Sequence, residues 1–349
     1  MVFIFRKNLL CFLILCTTFL STIHGQQQDS LERNWEITLG IGTDISQLLQ
    51  INPKVGAGEN RFGIGWVVNA TANKKRDRFA WDNNAIWSFS IQKQGGGFFN
   101  NSDEKIPFQK SIDELRVGSK VGYKFRKVSK FYYAADFSFL SQVVHTYAGN
   151  YLVDFNQPEE NNRPISRFLS PGQLTFSLGI DYKPNKQLSL FLSPVGYKSI
   201  LVLDRQIADD VVRNKNGEIT GSVHGNPIIT DDSKMNLLSF QRVRNEMGSL
   251  FRATYKNKFL KKKIALKSGL VLYANYLRDV GKIDYEWTTE LNFVVLKGLH
   301  ISLFTTLFYD YDIYSYKTNY DLPNGVEPTP RRDLVSFSEQ FVVKYNVVF

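Results

Sequence analysis

Residues 335–349 read VSFSEQFVVKYNVVF, and this stretch decides the fold. Its odd positions are Val335, Phe337, Glu339, Phe341, Val343, Tyr345, Val347 and Phe349. Its even positions are Ser336, Ser338, Gln340, Val342, Lys344, Asn346 and Val348. One face is mostly apolar and the other mostly polar, the pattern of a strand set between two different solvents. An aromatic last residue behind such a face is the expected ending of an outer-membrane β-barrel. There the last strand pairs with the first and presents its end, here Phe349, to the outer-membrane assembly machinery.

The same period of two recurs along the chain. Segments fall near 34–50, 61–73, 79–93, 111–125, 131–145, 168–182, 187–201, 242–256, 263–277, 282–296, 299–313 and 334–349. In the tenth, Ile283, Tyr285, Trp287, Leu291, Phe293 and Val295 interleave with Asp284, Glu286, Thr288, Glu290 and Asn292. Connections alternate too. Lys74–Arg78, Arg126–Lys130, Lys183–Gln187, Asn257–Lys262 and Lys297-Gly298 are short. Ile51–Asn60, Gln94–Lys110, Thr146–Arg167, Leu203–Gln241 and Tyr314–Asp333 are longer, with the brief Arg278–Gly281 as the exception. Short periplasmic turns, longer outer loops and an even strand count predict an all-β fold: one closed antiparallel transmembrane β-barrel of about twelve strands.

Residues 1–25 read as a secretory signal peptide. Arg6 and Lys7 precede the apolar core Leu9–Leu20, and Ile23-His24-Gly25 offers a cleavage site, leaving 26–349 as the barrel domain. Leu13-Ile14-Leu15 lacks the small residues that lipidation at Cys16 would need. No later stretch supplies the ~18 uninterrupted apolar residues of a membrane helix. Both cysteines, Cys11 and Cys16, lie in the signal peptide, so the mature chain has no disulfide and needs another source of stability; a closed ladder supplies one. Aromatics make up 14% of the chain against an ordinary hydrophobic fraction of 43%, as a membrane barrel requires.

The net charge of +10 first suggests nucleic acid. However, Lys74, Lys75, Arg76, Arg78, Arg126, Lys127, Lys130, Lys183, Lys186, Lys258, Lys261, Lys262 and Lys297 are dispersed over separate turns rather than gathered on a stacking platform. They read as solvated turn ends, or as a basic rim facing an acidic periplasmic partner or lipid headgroups.

Chemistry, if present, belongs on the polar faces. The candidate lumen-lining set is Glu114, Arg116, Lys120, Asp136, Arg252, Lys267, Asp284, Glu286, Glu290 and Lys344. Acids and bases on neighbouring strands predict an ion-pair network that either selects solutes at a constriction or fills the interior. His300 and Ser302 share a face, but side chains two residues apart on a strand lie roughly 6–7 Å apart, too far for a dyad. No Gly-x-Ser-x-Gly turn or zinc motif is present. Asp209-Asp210 and Asp231-Asp232 are loop acids or at best a weak calcium site. Gly95-Gly96-Gly97 lacks the helix and Lys of a phosphate cradle. Ile207, Val211, Val212, Ile228 and Ile229 in the 203–241 loop could cover the mouth or dock a partner. No catalytic group, metal or cofactor is expected.

Several blocks resemble a Bacteroidota outer-membrane β-barrel family known only as a domain of unknown function. They are Val55–Asn60, Trp81-Asp82-Asn83 through Gln92–Gly96, Phe168–Pro171 through Leu178–Asn185, Leu190–Pro194 and Phe308–Asp312. The resemblance implies an outer-membrane barrel in a Gram-negative envelope and supplies no activity or catalytic residue. The expected function is a narrow passive channel for small polar solutes, rather than an enzyme. The alternative is a non-conducting structural or accessory barrel that partners envelope machinery or surface lipoproteins. Outer-membrane lipid, the assembly machinery and a surface or periplasmic protein are the expected partners of a monomer; nucleic acid is not.

Overall fold

A computed structural model describes residues 35–52, 61–92, 108–153, 163–213, 217–232, 237–277, 281–313, 315–316 and 330–348. The signal peptide, Phe349 and Gly95-Gly96-Gly97 lie outside the described residues. Twelve strands form one closed antiparallel barrel: β1 (Trp35–Ile51), β2 (Arg61–Arg76), β3 (Phe79–Gln92), β4 (Gln109–Lys124), β5 (Phe131–Ser141), β6 (Gly172–Tyr182), β7 (Leu188–Leu201), β8 (Val243–Phe259), β9 (Ile264–Asn275), β10 (Ile283–Leu296), β11 (Leu299–Tyr309) and β12 (Ser336–Val348). Each pairs with its neighbours in sequence, and β12 closes on β1 from Gly40↔Val348 to Ile51↔Phe337. Every predicted segment is therefore a barrel strand.

The ends differ where side chains or turns capture backbone groups. Expected to reach residue 145, β5 stops at Ser141 because the Asp113 carboxylate accepts the Val143 and Val144 N–H groups, at 3.0 and 2.7 Å. Predicted from 168, β6 begins at Gly172, because Arg167 and Ser170 exchange backbone hydrogen bonds around Leu169, whose φ is 57°. Predicted to 313, β11 ends at Tyr309, since the Asp310 carboxylate and carbonyl turn the chain by accepting Asp312 N–H and Ile313 N–H. At the opposite end Lys74, Lys75 and Arg76 stay in the β2–β3 ladder, which shrinks that turn to Asp77-Arg78. Arg78 then donates to the carbonyls of Lys124 and Phe125 and stacks on Tyr123, tying two turns together.

Alternation divides the strands into two faces. Ile37, Ile41, Ile45, Tyr133, Leu178, Leu192, Trp287, Phe341 and Tyr345 are exposed on the outside. Aromatic pairs ring the short-turn end: Trp35–Trp81 at 5.2 Å, Phe125–Tyr133 at 4.1 Å and Phe131–Tyr182 at 4.5 Å. Further along β3, Trp87 and Phe89 gather around Trp66. On β3 the outward aromatics Trp81 and Phe89 are eight residues apart, about 26 Å along the strand and ~20 Å along the barrel axis.

A bulge in β7 breaks the alternation mid-strand. Pro194 sits mid-strand in β7 with no N–H for a ladder bond, and both neighbours slip there: Ile180↔Leu192 is followed by Leu178↔Val195, and Leu250↔Ser193 by Gly248↔Gly196. Ser193 Oγ donates to the carbonyls of Leu178 and Val195 at 2.7 Å, and Tyr276 Oη caps the Pro194 carbonyl at 2.9 Å. The bulge presses the Leu192 carbonyl onto β6 so closely that a Cβ on Gly179 would lie 2.0 Å from it; only glycine fits.

Candidate functional site

In a ring of twelve, β4 and β10 face each other across the interior. Arg116 of β4 binds the Glu114 carboxylate two residues away and reaches Glu286 of β10, Nη2 to Oε1, at 3.4 Å. This bridge crosses the barrel. Its members are nevertheless water-accessible, with 44%, 42% and 29% of the Arg116, Glu114 and Glu286 side chains exposed.

Nearer the short turns the pairs are less exposed, with at least one partner of each largely covered. Arg252 of β8 donates to both oxygens of Asp136 on β5 at 2.7 Å. Lys120 of β4 reaches Asp181 of β6 at 2.8 Å, and Asp181 also meets Lys183 at 3.4 Å and accepts from Ser189 Oγ at 2.6 Å. Lys344 of β12 lies 3.5 Å from Glu290 of β10. Asp284 belongs to a group near the loop end, where Lys198 Nζ lies 3.3 Å from Glu246, 3.6 Å from Asp284 and 3.4 Å from Asp310. Arg244 extends it, 3.0 Å from Glu246 and 3.3 Å from Asp312. Nine of the ten residues singled out from the sequence are thus in ion pairs. The tenth, Lys267, stands opposite Glu290 in the β9–β10 register and lines a cavity at the short-turn end.

Sequence alternation missed two features. Lys198 escapes it because the Pro194 bulge reverses the facing of β7, so that Phe191 and Lys198 both point inward. Opposite ends of one strand then follow different parities. Arg244 and Glu246 lie on the Arg252 face of β8, whose alternation is unbroken, and were not singled out. The second is a packed apolar knot of Ala134, Phe191, Leu250 and Tyr273, with Val271 against it. Phe191 is fully buried beneath the Lys120 ammonium, 4.5 Å above its ring.

His300 and Ser302 are linked only through Asn292. The His300 Nδ1 lies 3.0 Å from Asn292 Oδ1, and Asn292 Nδ2 donates to Ser302 Oγ at 3.0 Å, so the imidazole does not activate the hydroxyl. Among the described residues no group of three His, Cys, Asp or Glu is placed to hold a metal.

In the segment read above as the loop Leu203–Gln241, the described residues are held by caps and ion pairs. Asp204 caps the helical turn Arg205–Ala208 and pairs with Arg167 at 2.7 Å. Asp209 accepts from Phe240 N–H and pairs with Arg205, while Asp210 pairs with Arg163. These acids hold the loop. Burial pushes the Asp210 carboxyl above its ordinary range, opposed by Arg163. Burial, aided by Arg244, pushes His224 down to about 4. Ile207 and Val212 are buried beneath the loop; Ile228 and Ile229 remain exposed.

Residues 50–147 match the model of a family described as a protein of unknown function (DUF3078), an interval that includes two of the blocks noted above. No curated protein matches the sequence. Among solved structures the chain is similar to the translocator domain of the autotransporter NalP from Neisseria meningitidis, at 8% identity and a TM-score of 0.36 over 91% of this chain and 90% of that one. It is similar to the NanC porin at 9% identity and a TM-score of 0.34, over 87% of this chain and 98% of that one. It is also similar to a Pseudomonas aeruginosa FadL homologue at 10% identity and a TM-score of 0.32, over 91% and 90%.

Proposed function

We propose that this chain is an outer-membrane barrel serving as a narrow passive channel for small polar solutes. The observation carrying the reading is the Arg116–Glu286 bridge, which joins opposite walls yet stays in contact with water. A hydrated ion pair of this kind narrows a lumen without sealing it, and sorts solutes by width and charge.

The membrane setting rests on the outer face. Soluble monomers rarely leave so many contiguous apolar side chains in water, and barrels place aromatics at both edges of a lipid-facing band. Even the shortest barrel strands have 11 residues, enough to cross a bilayer at a barrel's tilt. In this setting the short turns are periplasmic, residues 1–25 are removed on export, and the strand ending at Phe349 is presented for assembly. The chain does no chemistry of its own in this reading.

The apolar knot around Phe191 favours a second reading, a closed structural barrel that works through its loops. Planar-bilayer recording separates the two. The channel reading expects small, steady currents from the purified barrel and a larger unitary conductance in Arg116→Ala. Silence from wild type, Arg116→Ala and the Arg116→Ala/Glu286→Ala pair, all folded, would sink it in favour of the closed barrel.

A further inference from the structure

Most inward cations lie within ion-pair distance of an acid, so a group of exposed lysines that form no such pair is informative. Such a group surrounds the cavity at the short-turn end, about 470 Å³ in volume and within the size range of small-molecule sites. Five lysines line it: Lys186 from the turn after β6, Lys256 and Lys258 from the end of β8, Lys262 from the next turn and Lys267 from β9. Among the described residues, none of the five has an ion-pair partner, in contrast to Lys110, Lys120, Lys183, Lys198 and Lys344. One carboxylate, Glu290, shares the cavity and is engaged by Lys344 at 3.5 Å. Lys256 and Lys267 stand directly opposite each other in the β8–β9 register, where like charges repel unless something negative lies between them.

The fold holds these charges together. The Lys256 N–H donates to the Gln187 carbonyl at 2.8 Å, joining the β6–β7 turn to the end of β8. The β8–β9 turn runs through Leu260, Lys261 and Lys262, all at positive φ of 46–72°, and the Lys263 N–H closes it on the Leu260 carbonyl at 3.1 Å. Asn292 and His300 add fixed polar groups to the wall, already hydrogen-bonded to each other. A concave site lined by five lysines and a single acid, Glu290, carries a net positive charge and suits a compact ligand with several negative charges. Ammonium groups meet phosphate as point charges from any direction, so a ring of lysines accepts a phosphate chain in several poses.

We propose that this cavity binds a multiply charged phosphate-bearing anion, held between Lys256 and Lys267 and enclosed by Lys186, Lys258 and Lys262. The phosphates belong either to a soluble solute or to a lipid headgroup reaching in from the rim. Binding at this site does not depend on conduction, so it stands or falls apart from the channel reading.

The test is calorimetric titration of inorganic pyrophosphate into the intact barrel in a neutral detergent at low ionic strength. The expected result is saturable binding of one pyrophosphate per barrel, weakened at least tenfold by Lys256→Gln/Lys267→Gln. It should be unchanged by Lys127→Gln/Lys130→Gln in a different turn. Should the first pair fail to fold, Lys186→Gln/Lys262→Gln, both on turns, replaces it with the same expectation. No saturable binding overturns the proposal, and so does an equal loss in the Lys127→Gln/Lys130→Gln control, which would mark diffuse attraction to a basic rim. Repetition in nanodiscs distinguishes the sources. Weaker pyrophosphate binding in phosphatidylglycerol than in phosphatidylcholine identifies a competing headgroup; equal binding in both identifies a soluble anion.

Discussion

Arg252 places one guanidinium nitrogen 2.7 Å from each oxygen of Asp136, across the two strands that separate β5 from β8. The two partners are unequally buried: the Arg252 side chain keeps a quarter of its surface and Asp136 almost none. Deleting the cation therefore strands a buried carboxylate, whereas deleting the acid leaves a guanidinium that water still reaches. Arg252→Ala should cost about 3 kcal/mol and Asp136→Ala roughly half that, read from urea unfolding of the barrel in lipid vesicles. Equal costs would contradict the asymmetry.

The cross-lumen bridge makes a sharper demand on selectivity. Glu286→Gln removes a water-accessible charge from the constriction and should shift the zero-current potential toward anions. Lys120→Gln should shift it far less, because Lys120 is tied to Asp181 at 2.8 Å and lies over Phe191. A salt-gradient measurement on both variants checks the order.

At β7 the glycine requirement is steric. Gly179→Ala would drive a Cβ into the Leu192 carbonyl, whereas at Gly269 the nearest atom is a Thr288 hydroxyl 3.4 Å away. Gly179→Ala should lose about 2 kcal/mol or more and Gly269→Ala well under 1. The folded fraction after refolding, seen as the compact band on unheated gels, reports the difference.

Loop stability should depend on pH through His224. Its folded pKa of about 4 lies below the unfolded value near 6.5, so the unfolded loop binds more protons between these limits. The contribution is complete above pH 6.5 and is lost as the pH falls towards 4, on the order of 3 kcal/mol. Hydrogen exchange of amides between Val202 and Arg242 should accelerate over that window in wild type more than in His224→Gln. Matching profiles would remove the histidine from the account.

If the outer face meets lipid, Trp287 should sense it. Its ring is exposed, with the indole N–H satisfied by Ser268 Oγ at 2.9 Å. A variant keeping Trp287 alone should be quenched by brominated acyl chains and spared by aqueous iodide.

Strand positions were legible because alternation is local: each of the twelve segments carries its two faces in its own residues. The candidate lumen-lining set from Glu114 to Lys344 was drawn from the same parity, and nine of those residues form ion pairs in the structure. What stayed hidden is nonlocal. Arg163 meets Asp210 and Arg244 meets Asp312 only after the loops have folded, and no periodicity announces such partners. The apolar knot was hidden for another reason, since Phe191 lies in the run Leu190-Phe191-Leu192, where hydrophobicity alone does not tell inside from outside. Of the unpaired lysines, Lys186, Lys258 and Lys262 read as turn charges, Lys267 as lumen-lining and Lys256 as neither; that they line one cavity needed the register of β8 and β9.

The bulge at Pro194 writes β7 in two reading frames, one for each half. Deleting Pro194 would merge the frames without turning either half over: Ser193 inward would be followed by Val195 outward, with Tyr197 still outside and Lys198 still beside its three carboxylates. The proline is thus a spacer that lets two halves of opposite parity share one wall, and it is the deletion of a residue within either half, not at the bulge, that would carry polar side chains to the outer surface.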